Sequence, residues 1–273
     1  MFYKNLFLTI LIFASTTVFT ACTESKLPKY NLVNSLRILA MKSTAPEVSI
    51  GDAIPVVSAL VLDPDGAGRT ITYTWVGCRE LPTSSSTRFQ CVDAPDKISL
   101  GSATTSNAGA ETIALTMLAL VSAAQAHNGV NYIVSLTVTA GSETVTAFKR
   151  IVVTSKATKN NNPSVTALTR NTVTLADNDL IGTGTVTLEA TIPSASYENY
   201  TFMDALNNTR NVQEDILITW FQTEGTMEAT RTFSGDKNNQ WTAPAPKTRS
   251  LVQLTVVLHD GRGGTDWKTI ILQ

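Results

Sequence analysis

Apolar and polar residues alternate with a period of two along much of this chain. Thr70-Ile71-Thr72-Tyr73-Thr74-Trp75-Val76 is the clearest case. That period buries one face of a strand, with Trp75 on that face or beside it. Strands are also predicted at Leu36 to Lys42 and Ile54 to Leu62, and at Tyr132 to Thr139 and Thr144 to Thr154. Ala140-Gly141-Ser142-Glu143 joins the last two as a hairpin turn. In Asp63-Pro64-Asp65-Gly66, Pro64 presets one dihedral and Gly66 is expected to take the positive one. One stretch departs from this pattern. Across Glu111 to Ala126, the residues Ile113, Met117, Leu120, Val121 and Ala124 recur at helical spacing. They predict a helix capped by Thr112, ended by Asn128-Gly129 and packed on a sheet. A partner-binding or membrane helix is the alternative, and it lacks a basic face.

The second half repeats the plan. Val165 to Leu175 opens it, Gly184 to Ile192 alternates, and Ile216 to Phe221 matches the Trp75 strand. Leu251 to Leu258 and Trp267 to Leu272 match the closing hairpin, with His259 to Gly264 as its turn. The repeat pairs Trp75 with Trp220, Leu136-Thr137-Val138 with Leu254-Thr255-Val256, and Lys149-Arg150-Ile151 with Lys268-Thr269-Ile270. Residues 155–163, polar and without period, read as a linker. The expected division is 31–154 for the first unit and 164–273 for the second.

The N-terminus follows another rule. After Met1-Phe2-Tyr3-Lys4-Asn5, no charge appears from Leu6 to Thr20. A basic start, an apolar middle and small residues before a cut make 1–21 a signal peptide. The middle is shorter than the ~20 apolar residues that a membrane helix needs. Phe19-Thr20-Ala21-Cys22 resembles the lipobox of bacterial lipoproteins, in which the Cys becomes the first residue and carries acyl chains such as palmitate. Ordinary cleavage is one alternative, and it calls for a small side chain where Phe19 stands; a lone buried Cys is the other. Residues 22–30 would then be the lipidated Cys22 and a short tether, and Thr23 after the Cys favours the outer membrane by the same resemblance.

Composition narrows the function. The chain of 273 residues has 21 Lys+Arg and 22 Asp+Glu, an even balance that gives no footprint for nucleic acid and no basic patch for anionic lipid. Only 16% of residues are charged, against ~25% in typical domains, and Thr and Ser take their place, as suits half-exposed strands. With Cys22 lipidated, Cys78 and Cys91 remain, and export predicts a disulfide between them, two reduced buried thiols being the alternative. Two His and no Cys-x-x-Cys pair argue against zinc.

Two copies of many short strands, each with one strand-borne Trp, resemble immunoglobulin-type sandwiches. The Asp260-Gly261-Arg262-Gly263-Gly264 turn and Trp241-Thr242-Ala243-Pro244 are similar to PKD-type and other Ig-like bacterial surface modules. Pro46-Glu47-Val48, Gly51-Asp52, Trp75 and Cys78 resemble the N-terminal module of uncharacterised lipoproteins of predatory and gliding bacteria. The implied fold is all-β: two tandem Ig-like β-sandwiches, the first with one inserted α-helix. The resemblance carries no catalytic residues.

Candidate chemistry is sparse. His259 beside Asp260 could be a base, but no Gly-x-Ser-x-Gly elbow accompanies it, and adjacent strand residues face opposite ways. Turn chemistry is the competing account of His259. His127 sits at a helix end, where a cation suits the dipole. The pairs Asp63/Asp65, Asp177/Asp179 and Asp260/Asp266 lack EF-hand spacing, and turn hydrogen bonding accounts for them as well as calcium does. Tyr197, Tyr200 and Phe202, in an insertion at Ser194 to Asn211, are the candidate binding residues for a glycan or protein. They could equally pack the insertion onto its own domain. The expectation is a non-catalytic, cofactor-free envelope protein, held to the membrane by its lipid and facing an envelope protein or glycan.

Overall fold

The computed structural model describes residues 29–80, 91, 94, 96–107 and 122–273. The signal peptide, Cys22, nearly all of the tether, the loop at 81–86 and positions 111–121 of the predicted helix lie outside the described residues. No described helix is long and apolar enough to cross a membrane.

The first sandwich has strands β1 (Arg37–Ser43), β2 (Glu47–Val48), β3 (Val57–Leu62), β4 (Ile71–Arg79), β5 (Ile98–Gly101), β6 (Val130–Ala140) and β7 (Glu143–Val153). A sheet ordered β2-β7-β6-β4-β5 faces the pair β1-β3. Alternation on β4 sends Trp75 inward to join Leu136, Val138, Ile151 and Leu100, all fully buried. Its indole N–H donates to the Ala103 carbonyl at 2.9 Å, so burying the ring strands no donor. The outer face of β4 and β6 carries Cys78, Cys91 and Ile133 as a separate buried cluster. Cys78 and Cys91 are joined in a disulfide with 5.5 Å between Cα atoms.

The second sandwich has β8 (Ala167–Arg170), β9 (Val173–Thr174), β10 (Thr185–Thr191), β11 (Asn199–Met203), β12 (Thr209–Gln213), β13 (Leu217–Gln222), β14 (Thr226–Met227), β15 (Arg231–Phe233), β16 (Asn238–Thr242), β17 (Val252–His259) and β18 (Thr265–Leu272). Sheets ordered β14-β16-β10-β8-β9 and β15-β13-β17-β18 enclose Trp220 from one side and Trp241 from the other. The insertion at 194–211 forms most of a separate hairpin, β11-β12. The fold is thus all-β, two Ig-like sandwiches with a short helix in the first.

Several expectations change in detail. Helix α1 (Ala123–Asn128) starts at Ser122, whose hydroxyl accepts from the Gln125 N–H while the Gln125 side chain answers in a capping box. Ser122 caps this described helix, while the predicted cap at Thr112 lies outside the described residues. Gly66 has no positive φ; Ala67 (φ 50°) and Gly68 (φ 76°) take that role. Gly66 is needed because a Cβ there would lie 1.9 Å from an Asp63 carboxylate oxygen. The repeat is also out of step. Trp75 lies opposite Leu136, whereas Trp220 lies opposite Val256, two residues beyond the predicted equivalent. A shift of two keeps the same face inward, so the pattern of apolar residues could not reveal it.

The two sandwiches lie side by side. Phe221, Val257 and Trp267, on the outer face of the β13-β17-β18 layer, pack against Val33, Leu39, Ala40, Leu60 and Leu62 of the first sandwich. Lys42 to Asp266 at 2.8 Å and Arg249 to Asp65 at 2.5 Å add ion pairs across this seam. Residues 155–163 do not act as a loose linker. Asn160 is buried, and the Asn162 amide spans the seam, donating to the Ser43 carbonyl and accepting from the Thr265 N–H.

Candidate functional site

The site is built from the turn between β17 and β18. Asp260 organises it: its Oδ1 accepts from the backbone N–H of Arg262 and Gly264, and its Oδ2 from the Asn160 amide. Gly264 allows this closeness, since a Cβ there would sit 2.0 Å from Asp260 Oδ2. The turn so held aims Arg262 back between the sandwiches.

Arg262 is the centre of a buried charge cluster. Its Nη2 donates to Glu47 Oε2 at 2.9 Å and its Nη1 to Glu214 Oε1 at 2.8 Å, with Glu198 at 3.6 Å. The Tyr200 ring covers the guanidinium at 4.3 Å. Glu47 belongs to the first sandwich, and its side chain is 2% exposed. It also accepts from Thr154 Oγ1 at 2.6 Å, Lys156 Nζ at 3.2 Å and the Asn160 N–H at 2.9 Å. One carboxylate thus ties together the first sandwich, the connecting segment and the second sandwich.

The electrostatics follow from this crowding. Burial alone would raise the Glu47 carboxyl, but the Thr154 hydroxyl, Lys156 and the Asn160 N–H together hold it below the usual carboxylate value. Glu214 has fewer donors. Burial and the nearby Asp260 push it up to about 7 against the pull of Arg262. Beside the cluster, Lys149 Nζ donates to Thr265 Oγ1 at 2.6 Å, and that hydroxyl lies 3.3 Å from His259 Nδ1. Burial brings Lys149 down to about 8 despite Asp260, and burial with Lys149 brings His259 down to about 4. Near neutral pH the ammonium donates to the hydroxyl, and the hydroxyl shares a hydrogen bond with a neutral imidazole.

Next to this cluster, a groove of about 790 Å³ runs between β1, β7, the β17–β18 turn and the β11-β12 hairpin. Met41, Phe148, Lys149, Tyr200 and Phe202 are among its walls. Its volume lies in the range of small-molecule sites, ≈ 300–1,000 Å³. The hairpin reaches it by docking on the first sandwich: His127 Nε2 lies 3.1 Å from Thr201 Oγ1, and the Asn128 amide bonds both backbone groups of Met203. His127, in the last turn of its six-residue helix as expected, is thus also a contact between sandwiches.

The three aromatic candidates separate. Tyr200 and Phe202 line the groove, and Phe202 is 41% exposed. Tyr197 instead packs against the core of its own sandwich, with its hydroxyl buried and lacking a partner among the described residues. This corrects the grouping of all three as one surface. The candidate calcium pairs are engaged elsewhere. Asp63 pairs with Arg69, Asp65 with Arg249 and Asp266 with Lys42, while Asp177, Asp179 and Asp260 accept backbone N–H groups. Among the described residues, no cluster of three or more His, Cys, Asp or Glu is placed for a metal. Sequence reasoning missed the Glu47–Arg262 cluster. One signal was present: Trp220-Phe221 and Val256-Val257-Leu258 break the alternation, as strands covered on both faces do.

No protein-family model matches the chain, and no curated protein matches it. Solved structures with a detectable likeness include tandem domains of Ig type. The two tandem V-type regions of VCBP3, a v-region-containing chitin binding protein, are 13% identical over 87% of this chain and 100% of that one, at a TM-score of 0.34. The tandem Ig repeats of Dlar are 14% identical over 88% and 97%, at 0.27. A chimeric titin Z1Z2-Z1Z2 tandem is 14% identical over 87% and 97%, also at 0.27. Scores this low carry no inference about function, and the architecture rests on the sheets described above.

Proposed function

We propose that this chain is a lipid-anchored cell-envelope protein that works without catalysis, as a rigid two-sandwich scaffold with a binding groove at its junction. Supporting this reading is the buried cluster in which Arg262 and Glu47 join the sandwiches. Buried ion pairs add little net stability, but they penalise any arrangement that leaves a charge unpaired. The charged residues at this junction therefore serve shape. His259 fits the same picture, since burial keeps it neutral and Thr265 occupies its Nδ1 side.

Anchoring rests on Cys22 and the lipobox-like residues before it. Cys22→Ser should move the protein from the membrane fraction to the soluble fraction and abolish palmitate labelling. The partner of the groove is an envelope protein or glycan. Phe202→Ala should weaken capture of that partner in crosslinked cells while leaving the melting temperature unchanged. A measurable turnover lost in His259→Ala would refute the non-catalytic reading. The second reading is a surface adhesin acting through the 194–211 hairpin, favoured by the exposure of all five residues of β12. It requires Val212→Ala, outside the groove walls, to impair adhesion as much as Phe202→Ala.

A further inference from the structure

The chain enters the first sandwich by way of the second. Before β1, the Val33 N–H donates to the Gln222 carbonyl at 2.8 Å, and the Gln222 N–H donates to the Asn31 carbonyl at 2.9 Å. Residues 31–33 thus form a strap on the end of β13, a short parallel bridge beyond the point where β15 stops pairing. The Tyr30 ring lies 5.7 Å from Phe221, with the guanidinium of Arg37 at 4.7 Å and that of Arg231 at 5.6 Å. Arg231 and Phe233 sit two apart on β15, so they share its exposed face. Tyr30 is 51% and Phe233 57% exposed.

Lys29, Arg37 and Arg231 make no salt bridge with a carboxylate among the described residues. Arg37 instead donates to the carbonyls of Tyr30 and Leu32. Of the acids near β15, Glu228 precedes Arg231 by three residues, and Asp215 and Asp236 lie at the Phe233 end, where the Ser234 hydroxyl donates to Asp215 and the Asp236 N–H donates to the Phe233 carbonyl. The even charge balance of the whole chain therefore conceals a local cationic and aromatic rim. Lys29 lies seven residue steps beyond Cys22, and at ~3.3–3.6 Å each these span at most about 25 Å.

We propose that this rim is a membrane-contact surface: Lys29, Tyr30, Arg37, Arg231 and Phe233 lie on the anionic phospholipid headgroups of the leaflet that holds Cys22. The inference rests on the lipid anchor proposed above. Rings with one polar end and long cationic side chains suit the headgroup layer, where apolar stems sink and charges meet phosphate. The strap makes the contact specific to one orientation. Because the anchored end is stitched to the second sandwich, both sandwiches lie near the bilayer.

The test uses the mature chain carrying Cys22→Ser, so that no acyl group contributes. Its sedimentation is measured with vesicles of phosphatidylcholine alone and with vesicles containing phosphatidylglycerol. Binding should require the anionic lipid and fade at high salt. Arg231→Gln, at an exposed position, should weaken it about fivefold, and Arg231→Glu more. Phe233→Ser should weaken it as well, with an unchanged melting temperature in each case. Equal binding to both vesicle types, or no effect of Arg231→Glu, overturns the proposal. Failure of the anchor reads differently: the acylatable chain would then stay soluble in cells whatever the vesicles show.

Discussion

Replacing Glu47 by Gln removes one charge and changes the side-chain shape very little. The two carboxylate oxygens receive four donors, Thr154 and Lys156 on one, Asn160 and Arg262 on the other. An amide presents N–H groups to one of those pairs, whichever way it turns, so two bonds are lost. A hydrogen bond to a charged group contributes about 1.5–3 kcal/mol, and a neutral amide recovers part of that through easier desolvation. The expected loss is about 3 kcal/mol, the lower end of the range for breaking a buried pair. Urea unfolding at pH 7, followed by tryptophan fluorescence, measures it. The pH dependence provides a second check. The folded value of Glu47 lies below its ordinary 4.5, so its stabilisation is present above 4.5 and lost as pH falls through the folded value. The gap between native chain and variant should therefore narrow on acidification below 4.5. A variant within about 0.5 kcal/mol of the native chain at pH 7, or a gap that stays constant down to pH 3, would refute the reasoning.

Three further outcomes follow from the same structure. Glu214 is raised from 4.5 to about 7, so its contribution is full below 4.5 and fades as pH rises through 7; the stability of the native chain relative to Glu214→Gln should fall across that window and level off above it, as urea midpoints at a series of pH values will show. Replacing Cys78 and Cys91 together by Ala opens a disulfide with a sequence separation of 13 and should cost about 3 kcal/mol, readable as a lower thermal midpoint under non-reducing conditions. Gly225→Ala should cost more than 1 kcal/mol, because φ is +84° and the added Cβ would lie 2.6 Å from both the Thr242 carbonyl and the Trp241 indole nitrogen; a melting curve unchanged from the native one would contradict this.

Strand chemistry is local, and so it was legible in the chain. Alternation around Trp75, the apolar strand around Trp220, the Gly141-Ser142 turn and the Cys78–Cys91 spacing each act within a few residues of themselves, and they suffice for an all-β, twice-repeated sandwich. The positive-φ position was placed at Gly66 rather than Ala67 and Gly68 because neighbouring turn residues compete for that role and small differences in hydrogen bonding choose between them. What lies between the sandwiches was decided only by tertiary structure. Glu47 and Arg262 are far apart in sequence, and nothing in Pro46-Glu47-Val48 or Gly261-Arg262-Gly263 says that they meet. Tyr197 and Tyr200 are equally aromatic and three residues apart, yet one fills a core and the other covers a guanidinium. An even charge balance likewise cannot show where charges gather. Periodicity, and its break at Phe221 and Val257, record which faces of a strand are buried, but which distant segments cover them leaves no period in the chain.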